Sequence, residues 1–280
     1  MKIEGAVAVL ALITGGLWKE NHYLETNKVV YRDSKIPPDF KGYRILQVSD
    51  LHSQRFGKRQ VNLIKRTKEL EPDVIFLTGD MIDRNHTNIE RSMDYLEEAV
   101  KIAPVICVLG NHEFEAKKGD IFIQEMRRIG IRVLKDEKIY LEKKESRIPV
   151  IGIDDPYVLP KCKGEDYDRI SSYDFVQRLK KVMKHKEEGF TILLSHRPEF
   201  FHIYIRTGMS LIFSGHAHGG QFRIKKDIGL LAPHQGFFPK YVSGIYQEGE
   251  TSMVVSRGLG NSLFPFRIRN RPELVLVELS

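Results

Sequence analysis

Cysteine is scarce: Cys107 and Cys162 are the only two in 280 residues. Two cysteines make no disulfide framework, and neither has the spacing of a cysteine metal site. Cys107 lies in the apolar run Ile106-Cys107-Val108-Leu109 and reads as a buried small hydrophobe, whereas Cys162 falls in a Pro/Lys/Gly loop. Cysteine use therefore leaves the redox compartment open. Glycine and proline, at 22 and 12 residues, sit at ordinary levels, which excludes collagen-like and disordered classes. Internal repeats and low-complexity tracts are absent. Acidic residues are in the minority, 37 against 44 Lys and Arg, for a formal net charge of +7. A basic surface favours phosphates, anionic lipid or nucleic acid. A Lys-rich solvated surface is the plainer explanation, because the bases are spread out, with short clusters only at Arg55 to Arg59 and Arg267 to Arg271. No long basic face for nucleic acid is present.

The uncharged apolar run from Gly5 to Trp18 falls short of the roughly 18–20 residues that cross a bilayer comfortably. It matches the apolar region of a signal peptide or short signal anchor. It lacks a convincing A-x-A cleavage site, Thr14-Gly15-Gly16 being a poor one, and no twin-arginine pair precedes it. A buried core helix is the alternative. Lys2 is offset by Glu4 and Lys19 by Glu20, so charge bias sets no orientation. The expected division is residues 1–26, an anchor-like segment and linker, and residues 27–280, one catalytic domain. With 41% apolar residues, a domain of that length can bury one sizeable core.

A first strand is expected over Lys28 to Arg32, ended by Pro37-Pro38. Beyond it a unit recurs: a short apolar run, a cluster of chemically capable residues, then a helix-like stretch. The runs are Arg44 to Ser49, Val74 to Thr78, Val105 to Leu109, Thr191 to Leu194 and Leu211 to Phe213. Such continuous apolar strands are usually covered on both faces. Helical faces are predicted through Val61, Ile64 and Leu70, through Ile89, Met93, Leu96 and Val100, through Phe122, Met126 and Ile129, and through Ile170, Val176, Leu179 and Met183. Ile139 to Lys143 with Pro149 to Ile153, and Met253 to Ser256 with Glu273 to Glu278, lack intervening helices and suggest a second sheet. The expected fold is an α/β sandwich of two sheets with helices outside.

Five clusters fall where strands end, the edge at which open α/β sheets bind ligands. They are Ser49-Asp50-Leu51-His52, Gly79-Asp80-Met81-Ile82-Asp83, Gly110-Asn111-His112-Glu113, Ser195-His196-Arg197 and Gly215-His216-Ala217-His218-Gly219-Gly220-Gln221. The D-x-H spacing in an extended turn puts both side chains on one side, within reach of one ion. Each cluster alone is common; the five together, each after a strand, are not. Carboxylate, imidazole and amide oxygen together suit Mn, Fe, Co or Zn better than Ca²⁺.

In this order, the motifs resemble the calcineurin-like metallophosphoesterase superfamily, from about Gly42 to the C-terminus. Gly219-Gly220-Gln221, Gly258-Leu259-Gly260-Asn261-Ser262 and Arg271-Pro272-Glu273 resemble its branch of membrane- or cell-wall-associated bacterial phosphodiesterases, which includes enzymes acting on the pyrophosphate of UDP-diacylglucosamine. The resemblance implies a four-layer α/β/β/α sandwich of two mixed sheets flanked by helices. It also implies two divalent transition-metal ions: one held by Asp50, His52 and His218, the other by Asn111, His196 and His216, with Asp80 bridging. Two such ions lower the pKa of a bound water and clamp attacking and leaving oxygens, so a metal-held hydroxide is expected to attack phosphorus. His112, beside a ligand yet outside the cage, is the expected leaving-group residue. Asp83 and Glu113 are candidates to orient a ligand imidazole or His112. Arg55 and Arg197 are candidates for a substrate phosphate. His22, His86, His185, His202 and His234 read as surface or packing residues, with His234 the one that could lie near the site. Aromatics mixed with bases at Gly236 to Tyr241 and Phe264 to Arg267 suggest core packing or a lip at a lipid interface.

The reading is a two-metal phosphodiesterase or pyrophosphatase, a monomer at the cell membrane or envelope, acting on a phosphorylated small-molecule or lipid-linked substrate, with no specific nucleic-acid partner. The alternatives are a soluble phosphatase or nuclease of the same superfamily, or a non-catalytic metal-binding protein.

Overall fold

The computed structural model describes residues 14–17, 19–156, 165–185, 188–225, 228–261 and 264–280, with the backbone alone for 165–172 and 185. Cys162 and most of the apolar run from Gly5 lie outside these residues. Residues 14–17 and 19–22 are helical, and strand β1 (Glu25–Tyr31) follows. The stretch after Lys19, expected as a linker, therefore already belongs to the folded body.

The chain then builds half a sandwich. Strands β2 (Arg44–Val48), β3 (Val74–Thr78), β4 (Val105–Val108) and β5 (Arg132–Val133) pair in parallel, in that order. Helices α1 (Val61–Glu69), α2 (Ile89–Ile102) and α3 (Gly119–Arg128) lie in the connections between them. The α2 helix starts where the Asn88 side chain accepts a hydrogen bond from the backbone N–H of Arg91 (2.9 Å), an N-cap. It stops before Pro104, which disfavours helix in the residue ahead of it. The periodicity in α1 points slightly elsewhere than expected: Leu63 and Thr67 are buried and Val61 is exposed. With one apolar residue too many for a narrow stripe, packing selected the face.

Strands β6 (Glu137–Lys143) and β7 (Ser146–Gly152) form a hairpin, followed after helix α4 (Glu165–Val182) by β8 (Ile192–Leu194) and β9 (Leu211–Ser214). Two small hairpins come next, β10 (Arg223–Lys225) with β11 (Ile228–Gly229), and β12 (Leu231–Ala232) with β13 (Gly236–Phe237). Strands β14 (Gly244–Glu248) and β15 (Thr251–Val255) complete a second six-stranded sheet in the order β14-β15-β9-β8-β7-β6. The last strand, β16 (Glu273–Leu279), returns to the first sheet, parallel to β1 and antiparallel to β2, giving the order β1-β16-β2-β3-β4-β5. The sequence pattern had grouped Glu273 to Glu278 with Met253 to Ser256 in one sheet. Both are doubly buried apolar runs, and nothing local in such a run records which sheet it joins.

Three buried clusters fill the interfaces of the stack. Ile45, Phe76 and Val108 face Leu194, Phe213 and Val254 between the sheets. The alternate residues Leu46, Leu77 and Cys107 face the helices on one side, and Leu193, Ile212 and Met253 face Phe175 and Leu179 of α4 on the other. Both faces are covered, which explains the unbroken apolar runs. The fold is thus two mixed sheets flanked by helices. Phe76 and Phe213 meet edge to face across the seam, centroids 5.3 Å apart. Burying a side chain of that size contributes roughly 1.5–3 kcal/mol.

Candidate metal centre

The loops after β2 and β3 are stitched to each other by backbone bonds, Asp50 N–H to the Gly79 carbonyl (3.0 Å) and His52 N–H to that of Asp80 (3.0 Å). The Glu113 carboxylate binds them further. It accepts from the N–H groups of Asp80 (2.9 Å), Met81 (2.7 Å), Ile82 (3.2 Å) and Gly110 (2.9 Å). Glu113 was expected to orient an imidazole; it holds backbone instead.

The second sheet meets these loops through glycine. A Cβ on Gly215 would lie 2.0 Å from Ser49 Oγ and 2.4 Å from Asp50 Oδ2, and within the first sheet's own loops one on Gly110 would lie 2.2 Å from Asp80 Oδ1. Such approaches admit no side chain. Asp50 in turn accepts from the backbone N–H of His216 (3.0 Å). Five of the expected cage residues, Asp50, His52, Asp80, His216 and His218, hold φ between 47° and 64°. Left-handed backbone costs a non-glycine residue roughly 1 kcal/mol or more, and such strain clusters at functional sites.

The side chains converge in two groups, linked by a third made of His52, Asp80 and His112. Asp50, His52 and His218 offer atoms within 4.8 Å of one another, as do Asp80, His196 and His216. His52 Nε2 and His218 Nε2 lie 3.1 Å apart. His216 Nδ1 and His196 Nε2 are 3.0 Å apart, with Asp80 Oδ2 3.1 Å from His196 Nε2. His196 Nδ1 donates to the Thr78 carbonyl (2.7 Å), so in the neutral ring Nε2 carries a lone pair. That lone pair faces a carboxylate oxygen, a contact that is repulsive unless a positive charge lies between. Burial opposes a charged His196, yet Asp80 overrides it and pushes its pKa up to about 10. Asn111 Oδ1 is buried with no hydrogen-bond partner among the described residues, while its Nδ2 is spent on Glu115 (3.1 Å). Atoms that bind one ion at ~2 Å stand about 3 Å apart. The residues fit a pair of cations.

His112 sits beside this cage. Its Nδ1 accepts the Arg84 N–H (3.1 Å), which leaves the ring proton on Nε2, 4.0 Å from Asp80 Oδ2. Burial lowers its pKa to about 4, so at neutral pH it is an uncharged N–H donor. Asp83 Oδ2 lies 3.6 Å from His52 Nδ1 and 3.5 Å from His112 Nδ1. Burial alone would raise the Asp83 pKa, but His52 and the N–H groups of His86 and Asn85 hold it below the usual range.

Two candidates for phosphate contact divide. Arg55 is exposed. Arg197 is buried and engaged two-pronged with Asp155, Nε to Oδ2 2.6 Å and Nη2 to Oδ1 2.9 Å, so it braces the loop after β8. Sequence reasoning missed Asp155, although an acidic pair just beyond an apolar strand was a usable signal. His234, read as surface or packing, stacks on His216, with Nδ1 2.9 Å from His216 Nε2 and ring centroids 5.1 Å apart. Buried Arg267 and Asn270 were also missed. Arg267 Nη2 lies 3.4 Å from His218 Nδ1, and Asn270 Nδ2 donates to the His218 carbonyl (2.7 Å). They come from a loop 49 and 52 residues further along the chain, with no local mark.

Residues 43–220 match the calcineurin-like phosphoesterase family. The chain belongs to that family. It is 30% identical to the uncharacterized metallophosphoesterase YkuE of Bacillus subtilis, over 98% of this chain and 94% of that protein. The phosphodiesterase YaeI of Escherichia coli is 26% identical over 89% of this chain and 84% of its own. A zebrafish (Danio rerio) transmembrane protein with a metallophosphoesterase domain is 26% identical over 88% of this chain, which spans 55% of that protein. As a calcineurin-like phosphoesterase the protein is a metal-dependent phosphoester hydrolase with a binuclear divalent metal centre. Some relatives are thus transmembrane proteins. Among the described residues of this chain, no helix is long and apolar enough to cross a membrane.

Proposed function

We propose that the protein is a phosphodiesterase or pyrophosphatase acting beside a membrane on a lipid-linked or envelope phosphate. Asp50, His52 and His218 would hold one ion, Asn111, His196 and His216 the other, and Asp80 both. When bound, the ions supply Lewis acidity and lower the pKa of water. The chain's own residues do the rest. Asp80 and Asp50 bring the negative charge that retains cations in a buried site. Thr78 fixes the His196 tautomer. Asp83 faces the Nδ1 of His52, the Arg84 N–H fixes the His112 ring, and His112 presents its Nε2 proton toward the oxygen that leaves phosphorus.

The observation that carries this reading is the His112 geometry: an N–H donor of fixed tautomer, aimed into the cage and fixed by the Arg84 backbone N–H outside it. A phosphodiester needs such a donor because its leaving alkoxide is a poor one. Similarity to YaeI, named a phosphodiesterase, points the same way. The membrane part rests on the apolar run from Gly5. The test is a substrate screen on metal-loaded full-length protein, comparing nucleotide-sugar lipids, teichoic-acid-like polymers, cyclic nucleotides and phosphoproteins. Turnover highest on a lipid-linked diester or pyrophosphate is expected. A clear preference for phosphoproteins or nucleic acid would overturn the reading in favour of a soluble phosphatase or nuclease.

A further inference from the structure

Among the described residues, the four exposed phenylalanines occupy one local structure. Phe237, opposite Leu231 at the open end of the β12–β13 hairpin, and Phe238 just after it are 73% and 65% exposed, and Phe264 and Phe266 lie on the loop before β16. Ile224 and Ile268 are exposed between them. Backbone bonds join the pieces: Phe238 N–H to the Leu230 carbonyl (3.0 Å), Leu230 N–H to that of Phe222 (2.8 Å), and Arg223 N–H to that of Ile268 (3.1 Å). The Phe222 ring packs against Phe264 and Phe266, at 5.1 and 5.7 Å between centroids. Folding a soluble domain does not require concentrating exposed aromatics this way, and an apolar patch of that kind marks an interaction surface.

Three further observations select the partner. Lys225, Lys240 and Arg269 are exposed in the same segments, and exposed aromatics flanked by bases suit an anionic bilayer surface. The N-terminal helix is docked there. Asn21 Oδ1 accepts from the backbone N–H of Arg267 (2.7 Å), between Phe266 and Ile268, and Asn21 Nδ2 reaches the Leu17 carbonyl (2.7 Å). Leu17, near the C-terminal end of the apolar run, is thus tied through Asn21 to the lip segment. The lip also borders the metal centre. Gln221 Nε2 donates to the Phe266 carbonyl (2.8 Å), and Arg267 approaches His218.

We infer that the lip formed by Phe237, Phe238, Phe264 and Phe266 rests on the headgroup layer of an anionic membrane and turns the mouth of the metal centre toward it. This deepens the membrane-associated reading and rests on it. A lipid-linked phosphate would then reach the cage without leaving the bilayer surface, and the apolar run and the lip would enter one interface together.

The test uses the full chain with Cys162→Ser and an environment-sensitive fluorophore on Phe238→Cys or Phe266→Cys. The control is Val30→Cys, 51% exposed on edge strand β1 near the end remote from the cage. On phosphatidylcholine vesicles containing phosphatidylglycerol, both lip labels are expected to shift to the blue and to be quenched by lipids with a nitroxide on the acyl chain. The Val30 label should not respond. Lip labels that stay aqueous while the protein sediments with the vesicles overturn the lip but spare membrane attachment. Protein that stays in the supernatant overturns both. Labels already blue-shifted without vesicles would mean that the chain's own apolar run covers the lip. An equal response on pure phosphatidylcholine would remove the anionic requirement. The double variant Phe237→Ser/Phe238→Ser provides a second reading: several-fold slower turnover of a vesicle-borne substrate is expected, with unchanged hydrolysis of a soluble phosphodiester. Equal loss on both substrates would count against the lip.

Discussion

The strand ends of the first sheet bring Asp50, His52, Asp80 and Asn111 to the site, whereas those of the second bring His196, His216 and His218. All the negative charge of the cage comes from one sheet. The second sheet's own strand-end carboxylates are spent elsewhere, Asp155 on Arg197 and Asp154 in a buried position beside Asp136. The two halves are also held differently. Glu113 clamps four backbone N–H groups of the first half, while the second is positioned by carbonyls, close glycine contacts, His234 and Asn270. The difference teaches that charge and rigidity are properties of the first half, and that the second completes the donor count.

The sharpest way to break this comparison is to take charge from the first half. Asp80→Asn is expected to reduce the bound-metal stoichiometry below that of the parent protein and to cut turnover by more than roughly 10⁴-fold, beyond the loss of an acid–base group. Elemental analysis alongside kinetics checks it, and full metal occupancy with modest loss would refute the division of roles. Asp50→Asn should act in the same direction, whereas His216→Asn, which replaces one neutral donor by another, should lower affinity more than stoichiometry at saturating metal.

Next in size, His112→Ala should keep both ions and slow kcat by roughly 10²–10⁴-fold on an alkyl phosphodiester. A nitrophenyl ester, whose leaving group needs no proton, should suffer much less. Equal loss on both substrates would show that the residue acts through structure.

Rigidity is tested by Glu113→Gln, which places an amide where one carboxylate oxygen accepts backbone N–H groups. Hydrogen bonds to charged groups contribute about 1.5–3 kcal/mol each, so urea denaturation should show a loss on the order of 3 kcal/mol. Asn270→Ala, which removes a brace on the second half, should cost less, about 1 kcal/mol. If the order is reversed, the second half is the rigid one.

The smallest effect concerns Asp154. Burial first, and the like charge of Asp136 next, push its pKa to about 7 in the folded protein. A carboxyl raised above its unfolded value makes folding less favourable as pH climbs from about 4 through 7. Asp154→Asn should therefore stabilise the protein by roughly 1–3 kcal/mol above pH 7. The gain should vanish below about pH 3, where both states of the parent carry the proton. A pH-independent gain would point to hydrogen bonding instead of charge.

Much of the first half was legible because its information is local. Asp50 and His52 share a turn, and Asn111, His112 and Glu113 share another, each directly after an apolar run that can only be a strand or a buried helix. The bracing of the second half was not legible. His234 lies 18 residues beyond His216 in a small hairpin, and Arg267 and Asn270 reach His218 from a loop that precedes β16. Val61 and Leu63 were equally apolar on paper, and only the neighbouring helix decided which is covered.

By itself, the sequence determined the strands, the residues at their ends and the chemistry those residues can perform. Apolar alternation and a glycine-flanked D-x-H or H-x-H act over a few residues, where covalent geometry leaves few choices. Tertiary structure alone decided that β16 joins the first sheet, that Glu113 grips backbone, that Arg197 faces Asp155, and that four phenylalanines share one exposed lip. Each of these depends on contacts between segments tens to hundreds of residues apart. Their free energies are set by packing and desolvation at the point of contact, and no local pattern encodes which distant surface will arrive there.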